Sequence, residues 1–395
     1  MGSESARSGR FRPVLREGER VTALELFFDL VFVLAITQCA ALMAADPSWA
    51  GLGRGLLVLA VLWWAWVGYA WLTSVVDPDE GVVRLAMFGA MAALLVAALC
   101  IPEVFGGSAA LFAAAYAAVR AGQIVLFALA WRGDPALLRS ITALAASTAV
   151  GVGLIAVAAA FDGYVQGALW VAAVVFDFAG PFFFGSEGWR LEPRHFAERH
   201  ELIIIIALGE SIVAIALGAG VEVGAGEVVA ACLGIAVAAA LWWLYFDVVA
   251  LVAARHLAAA PRGRIQNEMA RDSYSYLHYF MVAGIVLVAL GLKKTLAHHE
   301  DPLGTVLAAA LLGGAAAYLL AHIAFRLRNT MTLNRQRLVA AILLLALIPA
   351  GARMPALATL AVLTGILTAL IVYEVVRFGE ARRRIRVPEV DQPSE

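Results

Sequence analysis

Charge is scarce in this chain, and cysteine is scarcer. Only 15% of the 395 residues are charged and three are cysteine. Soluble domains carry roughly 25% charged residues, so an ordinary water-facing surface is excluded. Cys39, Cys100 and Cys232 each lie inside an apolar run, which leaves no disulfide framework and no metal-ligand spacing. They read as small buried hydrophobes. Several chemistry-bearing motifs are also missing: a phosphate loop ending in Lys-Ser or Lys-Thr, a Thr-Val-Gly-Tyr-Gly filter, His-Glu-x-x-His, Ser-x-x-Lys and Gly-x-Ser-x-Gly. Gly209-Glu210-Ser211 is too short for a nucleophile elbow and sits in an apolar helix rather than after a strand. No cofactor is implied. With a net charge of −1 there is no call for a nucleic-acid partner either; the basic tails suit anionic lipid headgroups better.

Apolar residues take the vacant place, at 63% of the chain with a mean hydropathy of +0.85. They fall in runs of roughly 18–25 residues, each able to cross a hydrocarbon core of about 30 Å. The fold class expected is an all-α polytopic membrane protein. Twelve spans are predicted, at 22–44, 53–74, 82–102, 108–131, 137–160, 164–184, 199–219, 226–254, 273–296, 303–326, 335–352 and 355–378. Breaks such as Asp46-Pro47, Asp77-Pro78-Asp79, Gly133-Asp134-Pro135 and Asp301-Pro302 separate them. The first run begins with acids and is too long for a cleaved signal sequence.

The basic residues orient this map. With the N-terminus in the cytoplasm, 24 of the 29 Lys and Arg fall on the cytoplasmic side, from Arg7, Arg10, Arg12, Arg16 and Arg20 to Arg382, Arg383, Arg384 and Arg386. Four (Arg54, Lys293, Lys294 and Arg353) fall opposite, and Arg120 lies within a span. Such a bias obeys the positive-inside rule and puts both termini in the cytoplasm.

The two halves echo each other. Asp29 aligns with Glu210, Trp63-Trp64 with Trp242-Trp243, Tyr116 and Arg120 with Tyr318 and His322, and Asp177 falls near Glu374. Six spans per half make the copies parallel, with any site between them. The expected organisation is a cytoplasmic Arg-rich tail at 1–20, a first six-helix half at 21–184 and a cytoplasmic linker at 185–198. A second six-helix half at 199–378 and a cytoplasmic tail at 379–395 complete it.

Function is sought in the polar residues of the spans, because ionisable groups at bilayer depth normally face a partner, the bundle interior or a wet path. Glu25 and Asp29, four apart in TALELFFDLVFVLAITQCAALMA, share one helix face. They read as pathway lining, or as counter-charges to Arg16, Arg20 or Arg199 at the interface; Gln38 extends the polar face inward. The seventh span opens with His195, Glu198, Arg199, His200 and Glu201, a set that fits no standard helical metal motif and reads rather as a salt cluster. Glu210 and Ser211 follow about 14 Å deeper at 1.5 Å per residue. Asp247 and His278 are further candidates, His278 as a proton shuttle or as a partner of Asp247. Arg120 needs an acid, with Asp177 and Glu103 both open. The tryptophans read as interface belts or packing.

ELFFDLVFV near the N-terminus, HFAERHELIIIIALGESI in the middle and SYLHYFMVAGIVLVALG later resemble the bacterial low temperature requirement protein A (LtrA) family over most of residues 20–378. The resemblance implies a multi-spanning protein of the bacterial cytoplasmic membrane linked to growth in the cold, and it supplies no reaction. Its motif positions fall on Glu25, Phe28, Asp29, Glu198, Arg199, Glu201, Gly209 and Glu210. The leading expectation is a transporter or channel-like protein that moves protons, cations or a small polar solute past buried carboxylates, with Arg199 and Glu201 as a charge gate. The alternatives are a membrane enzyme acting on lipid or isoprenoid through Glu201, His200 and Glu210, and a non-catalytic scaffold or sensor. Expected partners are membrane lipids and the transported ion or solute, with self-association into a homo-oligomer left open.

Overall fold

The computed structural model describes residues 20–79, 81–131, 135–183, 189–218 and 224–386. Arg7, Arg10, Arg12 and Arg16 of the N-terminal tail, Arg132, residues 185–188 of the expected linker and residues 387–395 of the C-terminal tail lie outside them. The chain is all-helical. Eleven helical segments among the described residues are long and apolar enough to cross a membrane.

The elements are α1 Ala23–Ala45, α2 Trp49–Thr73, α3 Gly81–Cys100, α4 Ala109–Ala130, α5 Pro135–Ala158, α6 Gly163–Phe183 and α7 Pro193–Gly218. There follow α8 Ala225–Phe246, α9 Val249–Ala259, α10 Arg264–Met269, α11 His278–Ala297, α12 Gly304–Ala308, α13 Gly314–Thr330, α14 Arg335–Gly351 and α15 Ala356–Arg386. Two of the expected spans are less regular than their hydropathy suggests. The ninth runs from α10 through a π-helical stretch, Ala270–Leu277, into α11, and the tenth has a π-helical stretch, Ala309–Gly313, between α12 and α13. The eleventh expected span is α14, whose 17 residues lie at the short end of the roughly 17–25 that cross a bilayer. α7 begins at Pro193 rather than at 199, so part of the expected linker is already helix.

Local chemistry explains several helix starts. Thr22 caps α1 in a reciprocal box, its hydroxyl accepting from Glu25 N at 3.3 Å while its own N–H donates to Glu25 Oε2 at 2.8 Å. Ser48 caps α2 after Asp46-Pro47, and Asn334 caps α14.

Two compact units emerge. The first comprises residues up to Ile206 together with Ala260–Ser275; the second comprises Ala207–Ala259 and Tyr276–Glu395. In the first, α2 packs on α1, α4 and α6 and is the most enclosed helix, with 78% of its membrane window buried against 28% in α5 and in α6. Burial therefore concentrates the polar side chains that face α2. In the second, α11 packs on α13 through small residues: a Cβ at Gly284 would stand 2.7 Å from the Gly314 carbonyl oxygen.

Candidate functional site

Glu25 and Asp29 stand one turn apart on α1, and His195 and Arg199 stand one turn apart on α7. The two i,i+4 pairs face each other like rungs. His195 Nε2 lies 2.9 Å from Glu25 Oε1, Arg199 Nη1 donates to the same oxygen at 3.1 Å, and Arg199 Nη2 donates to Asp29 Oδ1 at 2.6 Å. α2 closes the side of this ladder. Thr73 Oγ1 receives a second bond from Arg199 Nη1 at 3.2 Å, and Trp66 Nε1 donates to Asp29 Oδ1 at 2.8 Å. The Trp66 ring also lies under the guanidinium, 5.5 Å from Cζ, and meets the His200 ring edge-on at 5.0 Å. His200 Nδ1 is 2.8 Å from the Phe196 carbonyl, which makes that nitrogen the protonated one.

Glu25, Asp29, His195, Arg199 and His200 are all 0% exposed. Even so, Asp29 Oδ2 and Arg199 Nε have no hydrogen-bond partner. Two carboxylates thus face one guanidinium at depth.

The other sequence candidates are distributed through both units. Gln38 is half-buried on α1, about 14 Å beyond Asp29 along the axis. Glu201 is half-buried on α7 in the first unit. Glu210 and Ser211 are buried on the part of α7 that belongs to the second unit, and the Ser211 hydroxyl makes no hydrogen bond. Asp247, at the end of α8, is held by Arg382 and Arg386. His278 Nε2 instead meets Tyr245 Oη at 2.8 Å. Arg120 finds Asp177, at 3.7 Å, rather than Glu103.

Three members of the buried ladder escaped selection from sequence as site residues: His195, Thr73 and Trp66. The four-residue phase of His195 and Arg199 was a readable signal, matching that of Glu25 and Asp29. Nothing local marks Thr73 or Trp66, which act only because α2 lies beside α1 and α7. A second buried ion pair was also missed. In the second unit Arg337 grips Glu374 with two bonds, of 2.8 and 2.9 Å, and touches His322 Nδ1 at 3.0 Å. Among the described residues no group of three or more His, Cys, Asp and Glu side chains is arranged to hold a metal ion.

The family profile described as bacterial low temperature requirement A protein (LtrA) matches residues 20–372. An uncharacterised protein of Rhizobium meliloti (strain 1021) is 31% identical over 307 residues, which cover 75% of this chain and 74% of that protein. No solved structure matches the chain.

Proposed function

The chain belongs to the bacterial low temperature requirement A family, and from that premise we propose that it is a membrane transporter or channel-like protein that passes protons, cations or a small polar solute along its buried carboxylates. The observation that carries this reading is the pair of fully buried acids, Glu25 and Asp29, both bonded to Arg199, with one Asp29 oxygen left without a hydrogen bond. That oxygen is where a proton or a cation would seat. Arg199, bonded to both acids, is the natural gate: it must loosen from Asp29 for a cation to take its place. Gln38 and Glu201 in the first unit, and Glu210, Ser211, Asp247 and His278 in the second, are the remaining polar candidates. We place the protein in the bacterial inner membrane with both termini in the cytoplasm, supported by the arginine distribution.

Purified protein in proteoliposomes, driven by a pH or cation gradient and read with an internal dye, tests the proposal. Asp29→Asn and Glu210→Gln are expected to lower flux by about tenfold or more, because each removes a charge-bearing carboxylate. Wild-type flux no greater than that of both variants would sink it. A second reading is favoured by the same bonds: Arg199 joins α1, α2 and α7, so the ladder also serves as a static clasp. A clasp alone predicts that Asp29→Asn lowers the unfolding temperature in proportion to any loss of flux.

A further inference from the structure

The first unit also contains a cavity of about 100 Å³. Its walls include three indoles, Trp64, Trp71 and Trp189, and the ring of Phe127. They are fixed in place: Trp71 Nε1 donates to Ser275 Oγ at 3.0 Å, and Trp189 meets Phe127 edge-on at 5.0 Å. Two guanidinium groups, Arg120 and Arg271, line this cavity, and among the described residues no carboxylate does.

Arg120 is 1% exposed, yet its ties are few. Nη2 donates to Thr148 Oγ1 at 2.7 Å and stands 3.7 Å from Asp177 Oδ1, an ion pair too long for a hydrogen bond. Nε and Nη1 have no acceptor, and Asp177 Oδ1 has no donor. Gln123, another wall residue at 2% exposure, has an amide oxygen with no donor. Buried polar atoms left in that state are costly unless something in the adjoining space meets them. The backbone makes room for this arrangement, since a Cβ at Gly68 would lie 2.2 Å from Gln123 Nε2.

We propose that this cavity binds a small organic carboxylate with a flat aromatic body. The carboxylate accepts from the free N–H groups of Arg120, and the aromatic body lies among the indoles. One guanidinium serving two carboxylates is no obstacle, for Arg199 does that with Glu25 and Asp29 in the same unit. Arg271, 14% exposed and paired with Asp272, adds positive charge to the lining. The site is separate from the ladder, so its occupancy and the flux through Glu25 and Asp29 are measured independently.

Cinnamate is the probe, with cinnamyl alcohol as its neutral counterpart and laurate as an aliphatic acid, each titrated calorimetrically into the full-length protein in detergent. The expected result is saturable binding of cinnamate at least about tenfold tighter than the alcohol, because a neutral hydroxyl accepts from a guanidinium more weakly than a carboxylate does and cannot do so bidentately. Arg120→Gln should abolish that preference. Leu144→Trp, which fills the cavity and replaces none of Arg120, Thr148 and Asp177, should weaken cinnamate binding by a similar factor. If Arg120→Gln does not fold, Leu144→Trp decides, and unchanged affinity in it overturns the site. Equal affinity for acid and alcohol, tighter binding of laurate than of cinnamate, or no saturation at all overturns the proposal as well.

Discussion

Asp29 illustrates how a single buried carboxylate is governed by its donors. Arg199 and Trp66 both bond its Oδ1, while Oδ2 is left without a hydrogen bond. Removing the cation would leave Glu25 and Asp29 facing each other at zero exposure. Arg199→Met should therefore destabilise the protein by roughly 3–5 kcal/mol, the range seen when one partner of a buried pair is deleted. Adding Glu25→Gln and Asp29→Asn to that variant should restore most of the loss, because no uncompensated charge then remains. Thermal unfolding in detergent reads both steps; a triple variant no more stable than Arg199→Met would show that repulsion is not what the arginine relieves.

At the scale of elements, the helices pack by close approach and the π-helical stretches redirect backbone groups. The stretch Ala270–Leu277 presents the Ser275 carbonyl to Trp63 Nε1 at 2.8 Å, so an irregular helix supplies the acceptor for a fully buried indole. In the second unit, Gly284 and Gly314 let α11 and α13 touch. Gly284→Ala would push a methyl group against a backbone oxygen that has nowhere to move, and should cost about 1–3 kcal/mol. Gly89→Ala, where a Cβ meets nothing within 4 Å, should instead be neutral or gain up to about 1 kcal/mol of helix propensity. A fall in unfolding temperature confined to the first variant is the expected outcome. Each unit holds a buried arginine–carboxylate pair, Arg120 with Asp177 in one and Arg337 with Glu374 in the other.

For the whole molecule, the arginine distribution makes a prediction about orientation. A reporter that is active only in the cytoplasm, fused after residue 395 or before residue 1, should be active at both ends. Fused into the Asp46-Pro47 or His298–Asp301 breaks, it should be silent. Activity at the two termini on opposite sides would require an odd number of crossings, and α14, which is not among the eleven spanning segments, would be the first suspect. The proposed parallel repeat rests on the same even count, so the experiment bears on both.

Hydropathy alone determined that the chain is helical and spans a membrane, because a run of apolar residues needs no partner to prefer lipid. The four-residue phase of Glu25 and Asp29 placed both acids on one face for an equally local reason. Partner choice was a different matter. Arg16, Arg20 and Arg199 were equally available to those acids in sequence, as Asp177 and Glu103 were to Arg120. Only packing brought Arg199 within 2.6 Å of Asp29 and set Thr73 and Trp66 beside it from α2. The cavity beside Arg120 was likewise invisible, since its walls come from α2, α4, α5, α6 and the segment around Ser275, and an empty space has no residue of its own.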